Sequence, residues 1–485
     1  MSKNIAIIGS GFLGLTLALR LSEAGNRVTV FESAPEIGGL ASAWQIGGVV
    51  WDRHYHVTLL SDSFTRKIVE EIGLGGEFNW VETKTGFYTD ARLVSMSNAL
   101  EFLRFPPLGL ISKFRLGATI FFASRVKDWK RLEKISVEDW LTKLSGKKTF
   151  EKMWRPLLEA KLGEAYKETS AAFIWATIQR MYAARNSGMK KEMFGYVRGG
   201  YARVLEKFGA FLSEKGVEIR LNSKVSEIVK DGEKFEVKLT EKPERRGARK
   251  AIDRQVSVNG NGLKMKKERA MAAVASGYSG FQISNFKLNN ENRKPKTEDL
   301  FDKVILTCPS SVAAKICPQL TETEKKKLEN IKYQGIVCAS VLMKKSLSNF
   351  YVTNITDETP FTGIIEMSAM VDKKEFGGNA LVYLPKYVAP DDELFEKSDA
   401  EIEGTFLTAL EEMYPHFTRK DVLAFKISRV RQVFPLPVLN YSENLPAMKT
   451  SLENLFVVNS AHIVNGTLNV NETVQLAERF FQENL

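Results

Sequence analysis

Ile5–Ile8 is an unbroken apolar run that stops at Gly9, and apolar residues then recur at helical spacing from Phe12 to Leu21. Gly25 closes that segment, and a second apolar run, Val28–Phe31, ends at Glu32. The pattern predicts a strand, a tight turn, a helix and a second strand. Comparable pieces return at 195–240: a glycine pair (Gly199, Gly200), a helix, Gly216, a short strand and a hairpin. Residues 452–481 read as a strand, a polar turn and a final helix. The stretches between differ in character. Residues 331–431 alternate in the manner of antiparallel strands, and 150–185 read as two helices with an aromatic stripe. Residues 99–129 are apolar and aromatic, with scattered basic positions and a break at Pro106-Pro107.

The chain of 485 residues is too long for one compact core and suits two domains. No apolar stretch approaches the roughly 20 residues needed to span a bilayer, and the run at Ile5 is too short and glycine-broken to read as a signal segment. Three cysteines (Cys308, Cys317, Cys338) form neither an even set nor a CxxC pair, so a reducing, cytoplasmic setting is expected. The formal charge of +11 suggests nucleic acid until its distribution is considered. Residues 241–296 carry fourteen Lys/Arg against five Asp/Glu, which leaves the remainder close to neutral. That segment reads as a basic flexible insertion in one loop. A tether to anionic lipid or to an acidic partner is its alternative use, and nucleic-acid binding is not expected.

The chemistry begins at Gly9-Ser10-Gly11-Phe12-Leu13-Gly14. Gly9 permits the tight turn, Gly11 lets backbone N–H groups approach a pyrophosphate at the helix N-terminus, and Gly14 lets the helix pack on the strand. Glu32, followed by Ser33, stands where a carboxylate accepts the hydroxyls of an adenosine ribose and repels a 2′-phosphate. These features in order specify dinucleotide binding. Gly38-Gly39, followed by Leu40-Ala41-Ser42, supplies a second bare-backbone approach that suits FAD, whose ribityl and ring continue past the pyrophosphate.

On these motifs the chain resembles the flavoprotein superfamily of amine oxidases, protoporphyrinogen oxidases and phytoene-type desaturases, to which UDP-galactopyranose mutases are related. The resemblance implies an α/β fold. A Rossmann-type FAD-binding domain would come from discontinuous segments (1–95, 191–330 and 435–485). A mixed α+β substrate domain, an antiparallel sheet plus helices, would come from 96–190 and 331–434. It also implies that Val225 meets the adenine through its backbone, and that the 452–481 segment is the last to reach the flavin. Where relatives have Gly-Asp after that strand, this chain has Asn459-Ser460. The polar run Asn465, Thr467, Asn469, Asn471, Glu472 and Thr473, with Val470 inside it, is denser than a helix cap requires, so some of these positions are expected to contact flavin.

The flavin performs the difficult step, so side chains encode the reaction poorly. His54 and His56 lie two apart, on one side of an extended segment, with no third ligand nearby, and no metal is expected. In the family frame His54 replaces a glycine, and His56 is the better candidate to touch flavin or substrate. Tyr383, Tyr387 and Tyr441 are candidates for the substrate cavity. The leading expectation is an FAD-dependent oxidoreductase abstracting hydride from an apolar small molecule, isoprenoid-like or ring-shaped, with 99–129 as an entrance or a peripheral membrane contact. The alternative is a redox-neutral isomerase similar to UDP-galactopyranose mutase, with Arg155, Arg180 and Arg185 to bind a diphosphate. A flavoprotein without turnover is the third reading. The oligomeric state is not legible.

Overall fold

The computed structural model describes residues 2–186, 193–240, 300–464 and 467–485. The basic 241–296 segment, Asn465 and the Arg185 side chain lie outside them.

The N-terminal pattern folds into a parallel sheet. β1 (Asn4–Ile8) pairs on one side with β2 (Arg27–Phe31), and beyond it lies β10 (Glu218–Arg220). On the other side come β14 (Lys303–Leu306) and β20 (Leu455–Val457). Strands from three distant segments thus share one sheet, and their near-continuous burial is that of a sheet covered on both faces. Helix α1 (Phe12–Glu23), the crossover between β1 and β2, and the C-terminal helix Val470–Asn484 pack together on it.

A seven-stranded sheet carries the second unit. Its order is β19 (Val422–Pro435), β15 (Tyr333–Met343), β18 (Ala380–Val388), β17 (Gly363–Glu366), β16 (Val352–Ile355), β7 (Thr85–Thr89) and β8 (Arg92–Ser95). The hairpin β7–β8 pairs here, through a parallel contact between β7 and β16, although a boundary at 95 assigns it to the dinucleotide side. Side chains along β18 alternate: Leu381, Tyr383 and Tyr387 enter the core shared with the dinucleotide unit, whereas Val382, Leu384 and Val388 meet the helix Asp399–Met413.

Smaller sheets join the units. β3 (Ala43–Ile46) and β4 (Val49–Asp52) form a hairpin, and β9 (Met193–Val197) lies between β5 (Thr58–Leu59) and β6 (Phe78–Glu82). β11 (Val225–Asp231), β12 (Lys234–Leu239) and β13 (Leu300–Phe301) form the third. The hairpin expected to carry the insertion therefore closes normally at 232–233, and the basic segment follows β12.

Helix α2 (Ser63–Glu71) covers the dinucleotide unit. Between β8 and β9 the chain is helical: α3 (Ala99–Arg104), α4 (Leu110–Arg125), α5 (Trp129–Leu132), α6 (Val137–Ser145), α7 (Lys147–Thr149), α8 (Arg155–Leu162) and α9 (Ala171–Asn186). A π-helical turn, Phe150–Trp154, leads into α8. The aromatic stripe of this region is core, with Trp140, Phe150, Trp154, Tyr166 and Trp175 all buried. Helix α10 (Gly200–Glu214) follows β9 through the Gly199-Gly200 turn.

Candidate functional site: a dinucleotide cradle beneath a tyrosine-lined cavity

Gly9 turns at φ +111°, and a Cβ at Gly14 would lie 2.0 Å from the Gly9 carbonyl oxygen, so the first and third glycines are steric requirements. Gly11 caps α1 with no side-chain hydrogen bond, and a Cβ there would meet nothing within 4 Å. The helix thus presents bare backbone to open space, as an anionic diphosphate requires. Gly38, at φ +111°, donates its N–H to the Ser10 carbonyl at 2.8 Å and bridges to Gly11, and Gly39 packs on Gly11. Phe12, Leu13 and Ala41 are buried beside this double-glycine seam.

Glu32 is held in advance of any ligand. Its Oε2 accepts from the Ser10 N–H at 2.9 Å and the Ser10 hydroxyl at 2.7 Å, and its Oε1 from the Ala34 N–H at 2.8 Å and the Ser33 hydroxyl at 3.2 Å. The segment after β10 crosses this acid: the Ser223 N–H donates to the Glu32 carbonyl, and buried Val225 begins β11 just beyond.

Past β4 the chain leaves the extended conformation and separates the two histidines. His54 Nδ1 lies 3.2 Å from the Leu40 carbonyl, and its buried Nε2 has no partner within the chain. A buried orphan atom of this kind is what a bound polar edge satisfies. His56 Nδ1 lies 2.9 Å from the His54 carbonyl, and its ring packs against Tyr201 beside a cavity of about 20 Å³, room for one water. Burial lowers both histidines to about 4, His56's charge adding to the effect on His54. Burial likewise raises Asp52 to about 8, against the opposing N–H bonds of Tyr201 and Ala202. His56 and Asp52, 3.9 Å apart, therefore meet as neutral groups near pH 7 rather than as an ion pair. Asp52 Oδ1 accepts from the Tyr201 N–H at 2.7 Å and so caps α10 from another element. Among the described residues no group of three His, Cys, Asp or Glu is placed to hold a metal.

The three tyrosines diverge. Tyr383 is fully buried and donates to the Asp52 carbonyl at 2.5 Å, fixing the end of β4. Tyr387 Oη lies 2.8 Å from Tyr55 Oη and accepts from Lys161 Nζ at 2.6 Å. Tyr441 donates to the Ala461 carbonyl and is spent on packing. Tyr55 and Lys161 were not singled out by sequence.

The C-terminal polar run serves mostly the protein itself. Asn459 accepts from the Ala461 N–H and donates to the Cys308 carbonyl. Asn469 caps its own helix through the Glu472 N–H, and Asn471 caps α2 by accepting from Phe64 and Thr65 N–H groups. These amides are engaged within the chain, which accounts for much of the polar density that suggested flavin contact. The Ser460 side chain is likewise engaged within the chain, with Tyr333. Arg155 pairs with Glu159 and Arg180 with Asp62, so both guanidinium groups already have an acidic partner.

A parallel sheet with a bare-backbone cradle, a pre-set ribose acid and a second sheet over the glycine seam defines a flavin-dependent oxidoreductase of the two-unit kind. The chain belongs to the flavin-containing amine oxidoreductase family, whose match covers residues 14–253 and 278–471. The cofactor is accordingly a flavin of the FAD type. Among curated proteins it is similar to a zeta-carotene desaturase of Synechocystis sp., 26% identical over 262 residues, 47% of this chain and 52% of the relative. It is also similar to a hydroxysqualene dehydroxylase of Sinorhizobium fredii, 25% identical over 256 residues, 48% of this chain and 56% of the relative. The matched region spans about half the length of these proteins. Among solved structures, an oxidoreductase from Methanosarcina mazei superposes with a TM-score of 0.69 at 16% identity, covering 99% of this chain and 100% of its own. Putrescine oxidase bound to putrescine gives 0.68 at 14% identity, covering 100% and 99%. At these identities the likeness shows the shared fold.

Proposed function

We propose that the protein is an FAD-dependent dehydrogenase of the desaturase or oxidase type, taking hydride from an apolar, isoprenoid-like or ring substrate. When bound, the flavin accepts the hydride. Gly9, Ser10, Gly11 and the start of α1 would hold the pyrophosphate, Glu32 the ribose and Val225 the adenine. Gly38, Gly39, Leu40 and Ala41 would flank the remainder, with His54 Nε2 satisfied at the ring edge. His56, neutral and behind Tyr201, supports the wall.

The observation that carries the apolar substrate is the surface of α3 and α4. Leu110, Ile111 and Phe114 are 75, 80 and 79% exposed, with Leu100, Leu103, Phe121 and Phe122 also open. Arg104, Arg115 and Arg125 are interleaved with them. Apolar side chains set among cations suit an anionic lipid surface, where such a substrate resides. The contact proposed is made from one side of the membrane; no helix among the described residues is long and apolar enough to cross one. Relatives named for carotene and hydroxysqualene support the same substrate class. The paired states of Arg155 and Arg180 count against the mutase-like alternative.

Anaerobic mixing of the flavin-loaded protein with a lipid extract should bleach the flavin, and UDP-sugars should not. Turnover of a UDP-sugar only after prior reduction, without net bleaching, would overturn the reading. Ile111→Glu with Phe114→Glu should weaken sedimentation with phosphatidylserine vesicles at least tenfold, since each buried side chain contributes ~1.5–3 kcal/mol. Unchanged sedimentation removes the membrane contact.

A further inference from the structure

Lys161 is a half-buried cation whose charge is opposed by desolvation. It sits near the end of α8, where that helix packs against β18 and β16, deep within the chain yet with part of its surface accessible. No carboxylate pairs with it among the described residues. Its Nζ donates to Tyr387 Oη at 2.6 Å, lies 3.9 Å from the centroid of the same ring and 5.1 Å from that of Phe434. Tyr387 Oη in turn lies 2.8 Å from Tyr55 Oη, and Tyr55 is half-buried. The three polar atoms form one unbroken hydrogen-bonded line from α8 to the loop between His54 and His56.

The groups around this line are all weak acids. Tyr387 comes from β18, Cys338 from β15, Tyr351 from the approach to β16, and Tyr55 and Asp52 from the β4 end. β19 contributes Phe434, which does not titrate. With only desolvation acting on it, Lys161 falls to about 7 and exchanges a proton near neutrality. The π-helical turn just before α8 is a second irregularity of the kind found where a helix must aim a functional side chain.

We propose that Tyr55, Tyr387 and Lys161 form the proton-accepting path of the site, with Tyr55 meeting the substrate and Lys161 storing the proton. The inference rests on the dehydrogenation proposed above. In that reaction one substrate C–H bond breaks with its electron pair, which leaves as hydride to the flavin. The adjacent C–H bond breaks and leaves its pair in the new double bond, so its proton needs an acceptor. Tyr55 Oη takes that proton while passing its own to Tyr387, and Tyr387 passes its own to the neutral Lys161 amine. Both phenols end unchanged and Lys161 becomes ammonium, which returns the proton to solvent. Tyr55 is the catalytic contact; Lys161 acts through the tyrosines.

Competitive acetylation of the full chain with acetic anhydride, followed residue by residue by mass spectrometry across pH, reads Lys161 without turnover. Lys161 should reach half-reactivity near pH 7, about 7 being its value in this environment, well below exposed lysines. Tyr387→Phe, which removes the acceptor of the ammonium, should move that midpoint lower. A Lys161 that titrates with the surface lysines, or a midpoint unmoved by Tyr387→Phe, overturns the proposal. Lys161→Met should keep FAD binding, seen in the visible spectrum, while flavin reduction slows by roughly 10²–10⁴-fold and loses its pH dependence near neutrality. Reduction at the wild-type rate in that variant overturns it equally. If no apolar compound reduces the wild-type flavin, the dehydrogenase reading fails, while the acetylation profile tests the state of Lys161 separately.

Discussion

Replacing Glu32 by alanine tests whether the ribose acid is organised before the nucleotide arrives. In the apo chain the carboxylate accepts the Ser10 N–H at 2.9 Å and the Ala34 N–H at 2.8 Å. Ser10 is fully buried, so the variant takes the acceptor from both its N–H and its hydroxyl; the hydroxyl can rotate, whereas the stranded N–H costs about 1–3 kcal/mol. Ala34 is only half-buried, and water takes over its N–H at little cost. Urea unfolding of the apo-protein should therefore fall by about 1–3 kcal/mol. FAD affinity should fall in addition by about 1.5–3 kcal/mol, roughly 10- to 150-fold, for a lost charge-assisted bond to the ribose. Glu32→Gln keeps one oxygen for the Ser10 N–H and should recover most of the stability. Apo stability within ~0.5 kcal/mol of wild type, with FAD affinity unchanged, would refute both parts of the argument.

Two further outcomes are open to measurement. Gly14→Ala puts a methyl 2.0 Å from the rigid Gly9 carbonyl, so the crossing of α1 over β1 must widen. A loss of about 1–3 kcal/mol or more is expected, with FAD binding abolished, and a variant that binds FAD normally contradicts the packing argument. The Asp52–His54–His56 group sets a pH optimum for apo stability. Asp52, raised from 3.8 to about 8, contributes stability that is present in acid and lost as pH climbs through that range. The histidines, lowered from 6.5 to about 4, contribute above 6.5 and lose it as pH falls. Asp52→Asn should flatten the alkaline limb by roughly 1.4 kcal/mol per pH unit. Wild type and variant melting in parallel between pH 6.5 and 8 would show that the carboxyl is not buried neutral, those bounds being the ordinary histidine value and the raised Asp52 value.

Legibility in the sequence follows the range of the interaction. The cradle could be read because Gly9, Gly14 and Gly38 occupy positions that tolerate no side chain or demand positive φ, a local constraint that leaves a local mark. The long strands of the second sheet could be read because β18 alternates between two cores. The β7–β8 hairpin could not be assigned, since its partner β16 lies more than 250 residues away and no local pattern names a pairing strand. The cap that Asn471 places on α2 was illegible for the same reason: its amide reaches across 407 positions, and no local pattern names that partner. Lys161 left no mark at all. A lysine on an amphipathic helix is by default a solvated one, and only the packing of α8 against β18 and Phe434 encloses it.

The protonation states around the cavity also bear on what it can admit. Asp52, His54, His56 and Lys161 would carry charge or be able to carry it in water, yet burial brings each of them to neutrality or near it around pH 7. Asp52, raised to about 8 by burial, offers no fixed carboxylate charge at pH 7. A site for a diphosphate needs free guanidinium groups, and Arg155 and Arg180 are already paired with acids. Tyr55, Tyr387 and Phe434 in contact around one amine able to take up a proton are the surroundings that the proposed uncharged substrate would suit. Desolvation that would be wasteful in an ion-binding site is here what keeps Lys161 available as a base. In the proposed reaction the same burial that neutralises Asp52 would leave Lys161 free to take up the substrate's proton.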